Sequence, residues 1–199
     1  MSFENIKAIA FDADDTLWVN ETFFRDAEVA FAKHLAAYGD QDEIVQKLLD
    51  TEIKNLDTYG YGIKGFTLSM LETAHRLMGK KMNAETIDFI LNKGKQMLAE
   101  PVELLPYIEE VLDQLSKKYK LVVATKGDLL DQERKLIKSS KNGIQLSERF
   151  GLATWDFQGK NTAPLVCKLS NRRLLVVQRR GHTRLSPSRK VVLSSNEEL

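Results

Sequence analysis

Two short apolar runs, the first broken only by Lys7, stand apart in a chain otherwise patterned at helical spacing. Ile6 to Phe11 and Leu121 to Ala124 show no polar alternation, which suits strands buried on both faces of a parallel sheet. Between them apolar residues recur every three or four positions. Phe24, Ala27, Phe31 and Leu35 predict a first helix with Gly39 as its stop, and Ile44 with Leu48 predict a second. Phe66, Met70, Leu71, Ala74 and Met78 lead to Gly79, and Ile87, Ile90, Leu91 and Leu98 follow a candidate Asn83 cap. No strand is expected between about residues 20 and 100. Ile108, Val111, Leu112 and Leu115 then mark a helix before the second strand, and another helix runs through Leu136 and Ile137 to Gly143. Strand, helical insertion, helix, strand, helix is an α/β order, with an insertion large enough to form its own lobe.

Composition narrows the picture. The 199 residues are 43% hydrophobic and 29% charged, the balance of a folded globule with room for one full core and a small second module. Apolar runs such as Leu174 to Val177 are far below the roughly 20 residues of a membrane span, and the start MSFENIKAIAFD has neither a basic leader nor a cleavage site. A cytoplasmic protein with no membrane partner is expected. The single cysteine, Cys167, cannot form an internal disulfide and reads as a small apolar residue.

The first apolar run ends in three carboxylates within four positions, Asp12, Asp14 and Asp15. Crowded like charges raise one another's pKa and cost stability unless a cation, a proton or a reaction uses them. Ligands of open parallel sheets bind beyond the carboxyl ends of the strands, where Asp12 falls. The second strand ends in Thr125-Lys126-Gly127, whose hydroxyl, ammonium and amides suit a phosphate at the same edge. An acidic and an anion-binding strand end together ask for a cation, and Mg²⁺ between carboxylate and phosphate oxygens satisfies both. The structural alternative is that Asp14, Asp15 or Thr16 merely caps a helix or forms an Asx turn, and Asp15 singly reads so. Trp18 and the glycine-rich Thr58 to Phe66 stretch, a mobile loop carrying Lys64, are further candidates to touch substrate, with a solvated connection between helices as the equal alternative.

Asp12-Ala13-Asp14-Asp15-Thr16 resembles the D-x-D-x-T signature of haloacid dehalogenase (HAD) superfamily hydrolases, and Thr125-Lys126-Gly127 resembles their second motif. Val102 to Leu115 is similar to the segment that returns from the family's cap, and the helical insertion to a type 1 cap. The resemblance, over about residues 5 to 145, implies a HAD-like Rossmannoid parallel sheet core, residues 1–19 and 100–199, with an inserted α-helical cap, residues 20–99. It implies Mg²⁺-dependent hydrolysis of a small phosphorylated metabolite. Asp12 would be the nucleophile, forming an aspartyl-phosphate, and Asp14 the acid and base. The family's phosphatases carry this second acid and its dehalogenases do not, so Asp14 favours a phosphate ester over an organohalide. Asp12 and the Asp14 carbonyl would ligate Mg²⁺, and Thr125 would hold phosphoryl oxygens. A phosphorylation-receiver domain, the other acidic pocket with a Thr and a Lys, takes its acids from different strands and carries no such insertion.

Beyond residue 150 the match departs. Lys160 is the candidate for the family's third-motif lysine, with an ordinary surface lysine as its alternative. Leu174 to Val177 fits the strand before the fourth, acidic motif, yet it runs into Gln178-Arg179-Arg180-Gly181-His182. From residue 151 onward nine Lys or Arg face three acids, against twenty and twenty-five before it. Three readings follow: a divergent C-terminus, a basic arm for a polyanion, or a reading frame that slipped near residue 150, the reading favoured here. Nucleic acid is disfavoured, since only His182 offers a ring for stacking and no binding motif is present. A non-catalytic HAD-fold protein lacking the fourth motif is the alternative to the enzyme. Substrate identity and oligomeric state are not legible.

Overall fold

A computed structural model describes residues 6–139, 150–154 and 174–177 of the chain, the last two segments by their backbone alone. Lys160, Cys167 and the basic stretch from Gln178 to His182 lie outside the described residues. The chain divides into two compact units, Met1–Val19 with Val102–Leu199, and Asn20–Pro101.

The first unit is built on a four-stranded parallel sheet. Strands β1 (Ala8–Asp12), β2 (Lys120–Thr125), β3 (Phe150–Thr154) and β4 (Leu174–Val177) lie in the order β3-β2-β1-β4. β1 is therefore central, and both its neighbours run parallel to it. Its residues are buried on both faces. Ile9 and Phe11 join Leu17, Trp18, Leu112, Leu121, Val123 and Leu136 in one apolar core, while Ala8 and Ala10 are buried on the opposite side. This is why the run shows no alternation: neither face meets water. Helix α5 (Ile108–Ser116) buries Leu112, and α6 (Leu129–Ser139) follows β2. Leu174 to Val177 takes the strand position its sequence suggested, in register with Ala8 to Phe11.

The second unit contains no strand. Its helices are α1 (Glu21–His34), α2 (Gln41–Tyr59), α3 (Ile63–Met78) and α4 (Ala84–Ala99). Phe24, Phe31, Leu35, Ile44, Leu48, Phe66, Met70 and Ile90 form its core, with Phe24 and Phe66 edge to face at 5.1 Å. Two local expectations are corrected. α1 stops at His34, and Gly39 instead closes a single 3₁₀ turn over Ala36–Tyr38. The Thr58 to Phe66 stretch is mostly helical: α2 continues to Tyr59, Gly60 ends it at φ +69°, and α3 starts at Ile63. Glycine takes that left-handed conformation without a Cβ penalty, so the turn needs only three residues.

Candidate active site

β1 delivers Asp12 to the carboxyl end of the sheet, half-buried. Asp12 is in register with Ala124, so Thr125, the next residue of β2, stands at the same edge on the neighbouring strand, about 5 Å away in the pairing direction. Thr125 is 3% exposed, and its Oγ1 accepts the Gly127 N–H at 3.1 Å. That bond leaves the hydroxyl proton of Thr125 to donate elsewhere. It also occupies the Gly127 amide, so that N–H does not serve the phosphate as its sequence position suggests. Lys126 is exposed on the connecting turn.

After β1 the backbone doubles back. Leu17 N–H donates to Ala13 O at 2.8 Å and Asp15 N–H to Trp18 O at 2.8 Å. Asp15 takes φ +56° to make this possible, a left-handed conformation Asp tolerates better than most residues. Its backbone thereby shapes the turn. Thr16 Oγ1 lies 3.5 Å from Asp12 Oδ2, at the outer limit of a hydrogen bond.

The turn decides where Asp14 goes. Three donors meet its carboxylate: Trp18 Nε1 at 2.8 Å and Lys135 Nζ at 2.8 Å on Oδ1, and Gln132 Nε2 at 3.0 Å on Oδ2. Trp18 is 1% exposed and lies in the core of its own unit, which corrects its reading as a substrate contact. Gln132 and Lys135, both on α6, were missed from sequence. Their signal is an inverted helix face: Asp131 and Gln132 are buried while Leu129, Leu130 and Ile137 are exposed. Polar residues at inward positions are costly unless they are paired or used. Asp128 caps this helix, accepting the Asp131 N–H at 3.1 Å. Lys135 Nζ also lies 3.7 Å from Asp131 Oδ2. Burial pushes the Asp131 carboxyl above its ordinary range, and the Asp14 charge adds to this while Lys135 opposes it.

A haloacid dehalogenase-like hydrolase family model matches residues 6–151. The chain belongs to this family. Among solved structures, this HAD-like chain is similar to a haloacid dehalogenase-like family hydrolase from Xanthomonas campestris, with 37% identity and a TM-score of 0.67. That match covers 78% of this chain and 64% of the Xanthomonas protein, so the chain spans under two thirds of that relative's length. A predicted phosphoglycolate phosphatase from Haemophilus somnus 129pt (16% identity, TM-score 0.51, 89% and 78% covered) has a similar fold. So has the L-2-haloacid dehalogenase of Xanthobacter autotrophicus (16%, TM-score 0.50, 86% and 69% covered). No curated protein matches. The α/β fold read from the sequence is thus the family's fold, and both phosphatase and dehalogenase are names found among its fold relatives.

Magnesium, which the family implies, finds part of a ligand set here. Asp12 offers one carboxylate and the turn offers main-chain carbonyls, but Asp14's carboxylate is taken up by three donors. Among the described residues no group of three His, Cys, Asp or Glu gathers to hold a metal ion.

Proposed function

We propose that this HAD-like hydrolase is a phosphatase acting on a small phosphomonoester through an aspartyl-phosphate on Asp12. The observation that carries the reading is the second acid: Asp14 is present two residues beyond the strand end and is fixed at both oxygens. In the first step an Asp12 oxygen attacks phosphorus, the ester P–O bond breaks, and the leaving oxygen takes its proton from Asp14. In the second, water attacks the same phosphorus and gives a proton to Asp14, releasing inorganic phosphate and restoring the Asp12 carboxylate. Thr125 donates its hydroxyl proton to a phosphoryl oxygen as charge builds there, and Lys126 supplies a nearby cation. Lys160 is the proposed third-motif lysine. Mg²⁺, with Asp12 and the Asp14 carbonyl as its ligands in this chain, would neutralise phosphate and nucleophile charge when bound.

The test is hydrolysis of p-nitrophenyl phosphate by the full chain with Mg²⁺ and with chelator, beside Asp12→Asn. Turnover that chelator suppresses and the substitution reduces at least 10³-fold is expected. Turnover that survives Asp12→Asn would overturn the aspartyl mechanism, and none from folded wild-type protein would favour a non-catalytic relative.

A further inference from the structure

The Asp14 contacts hold more than a general acid and base requires. Oδ1 takes two donors and Oδ2 one, so of the four lone-pair positions on the carboxylate only one remains, on Oδ2. Two donors come from α6 across sequence separations of 118 and 121 residues, so this is not an incidental local contact. The arrangement is expensive. Lys135 keeps only 15% of its side chain exposed, and Gln132 is 1% exposed with its Oε1 buried and unpartnered. An orphaned buried acceptor is destabilising, and turning the amide over would set Oε1 against the Asp14 carboxylate. Space is also restricted around this amide: a Cβ on Gly127 would come within 2.6 Å of Gln132 Nε2, so a larger residue in the turn that follows Thr125 would have to displace the Gln132 amide from its place. The second-motif turn and the Asp14 clamp are thereby packed as one piece.

We infer that Gln132 and Lys135 are positioning residues that, with the Trp18 indole, lock the Asp14 carboxylate in one orientation and leave a single Oδ2 lone pair for proton transfer. This rests on the phosphatase reading above. Neither residue touches substrate; both act through Asp14. Their loss therefore lowers kcat with KM little changed, and matters most where proton transfer matters most. A poor leaving group such as an alkyl alcohol needs the proton in its transition state, whereas p-nitrophenolate departs nearly without it.

The experiment compares wild type, Lys135→Met, Gln132→Met and Asp14→Asn on an alkyl phosphate and on p-nitrophenyl phosphate. Each positioning variant should lose about 10–100-fold in kcat on the alkyl ester, a partial loss beside the roughly 10²–10⁴-fold of a full general acid–base contribution, and several-fold less on the aryl ester. In the Asp14→Asn background each should cost under about 2-fold, because residues acting through one group are non-additive. Gln132→Met removes no charge and keeps the volume, so it carries the test if Lys135→Met fails to fold. Equal losses on both esters, or full additivity with Asp14→Asn, would overturn the inference while leaving the phosphatase reading standing. Indifference of wild-type turnover to Asp14→Asn, or no turnover at all, would overturn both.

Discussion

Asp131 shows how one residue's surroundings translate into pH behaviour. Buried at the first turn of α6, its carboxyl is pushed above the ordinary range chiefly by burial. A raised folded-state pKa means the native protein holds the proton longer than the unfolded chain does. The associated stability is fully present below the unfolded value of 3.8 and is lost as pH rises through the folded value. Wild-type stability should therefore carry a falling component above pH 3.8 that Asp131→Asn removes, read as denaturant midpoints at successive pH values. Identical pH dependence in the two proteins would contradict this. At this scale the placement of Asp12 and Thr125 at strand ends was legible, because an apolar run fixes where its strand ends and hence which polar residue meets the sheet edge. Gln132 and Lys135 were not, because their partner lies more than a hundred positions away and helical periodicity speaks only of neighbours.

Helix boundaries were legible where a side chain makes them. Asn83 accepts the Thr86 N–H at 2.9 Å, and its substitution by Ala should cost about 1 kcal/mol in denaturation. Asp40 does the same for α2, accepting from the Asp42 N–H at 2.9 Å and the Glu43 N–H at 3.4 Å, four positions before the apolar Ile44 that predicts this helix. The stop at His34 had no such mark, since the 3₁₀ turn after it continues the helical spacing of Leu35. Gly94 was also silent in the pattern. A Cβ there would come within 2.4 Å of Thr67 Oγ1, so α4 and α3 approach closely at this point. Gly94→Ala should destabilise the helical unit by about 1–3 kcal/mol through overpacking, against the gain that alanine ordinarily brings a helix interior. An unchanged or raised melting temperature would show that Thr67 moves aside freely.

Among the described residues the two apolar cores have no member in common, so a deletion in one is expected to act first on its own unit. Phe66→Ala, at about 3–5 kcal/mol, should speed amide exchange throughout residues 20–101 before it reaches β1 or β2. Simultaneous loss of protection in both units would show that they unfold as one. In the sequence pattern, strand-like runs fall outside residues 20 to 100, and that stretch carries helical spacing alone. The register that sets β1 between β2 and β4 was not legible, since equal apolar runs carry no instruction about which lies beside which.

The segments flanking the helical unit are tied to each other within the sheet unit: Val19 N–H donates to Glu103 O, and Leu105 N–H to Leu17 O, both at 2.9 Å. This bears on how the chain finds its fold. Pairing β1 with β2 directly would require closing a loop of roughly a hundred residues, whose entropic cost grows with the logarithm of its length. If the helices between them collapse first, driven by their local contacts, most of that closure is already accomplished when the strands meet. Refolding of the sheet should then slow in step with helical substitutions that leave the sheet untouched, making the insertion a kinetic scaffold for the strand that carries Asp12.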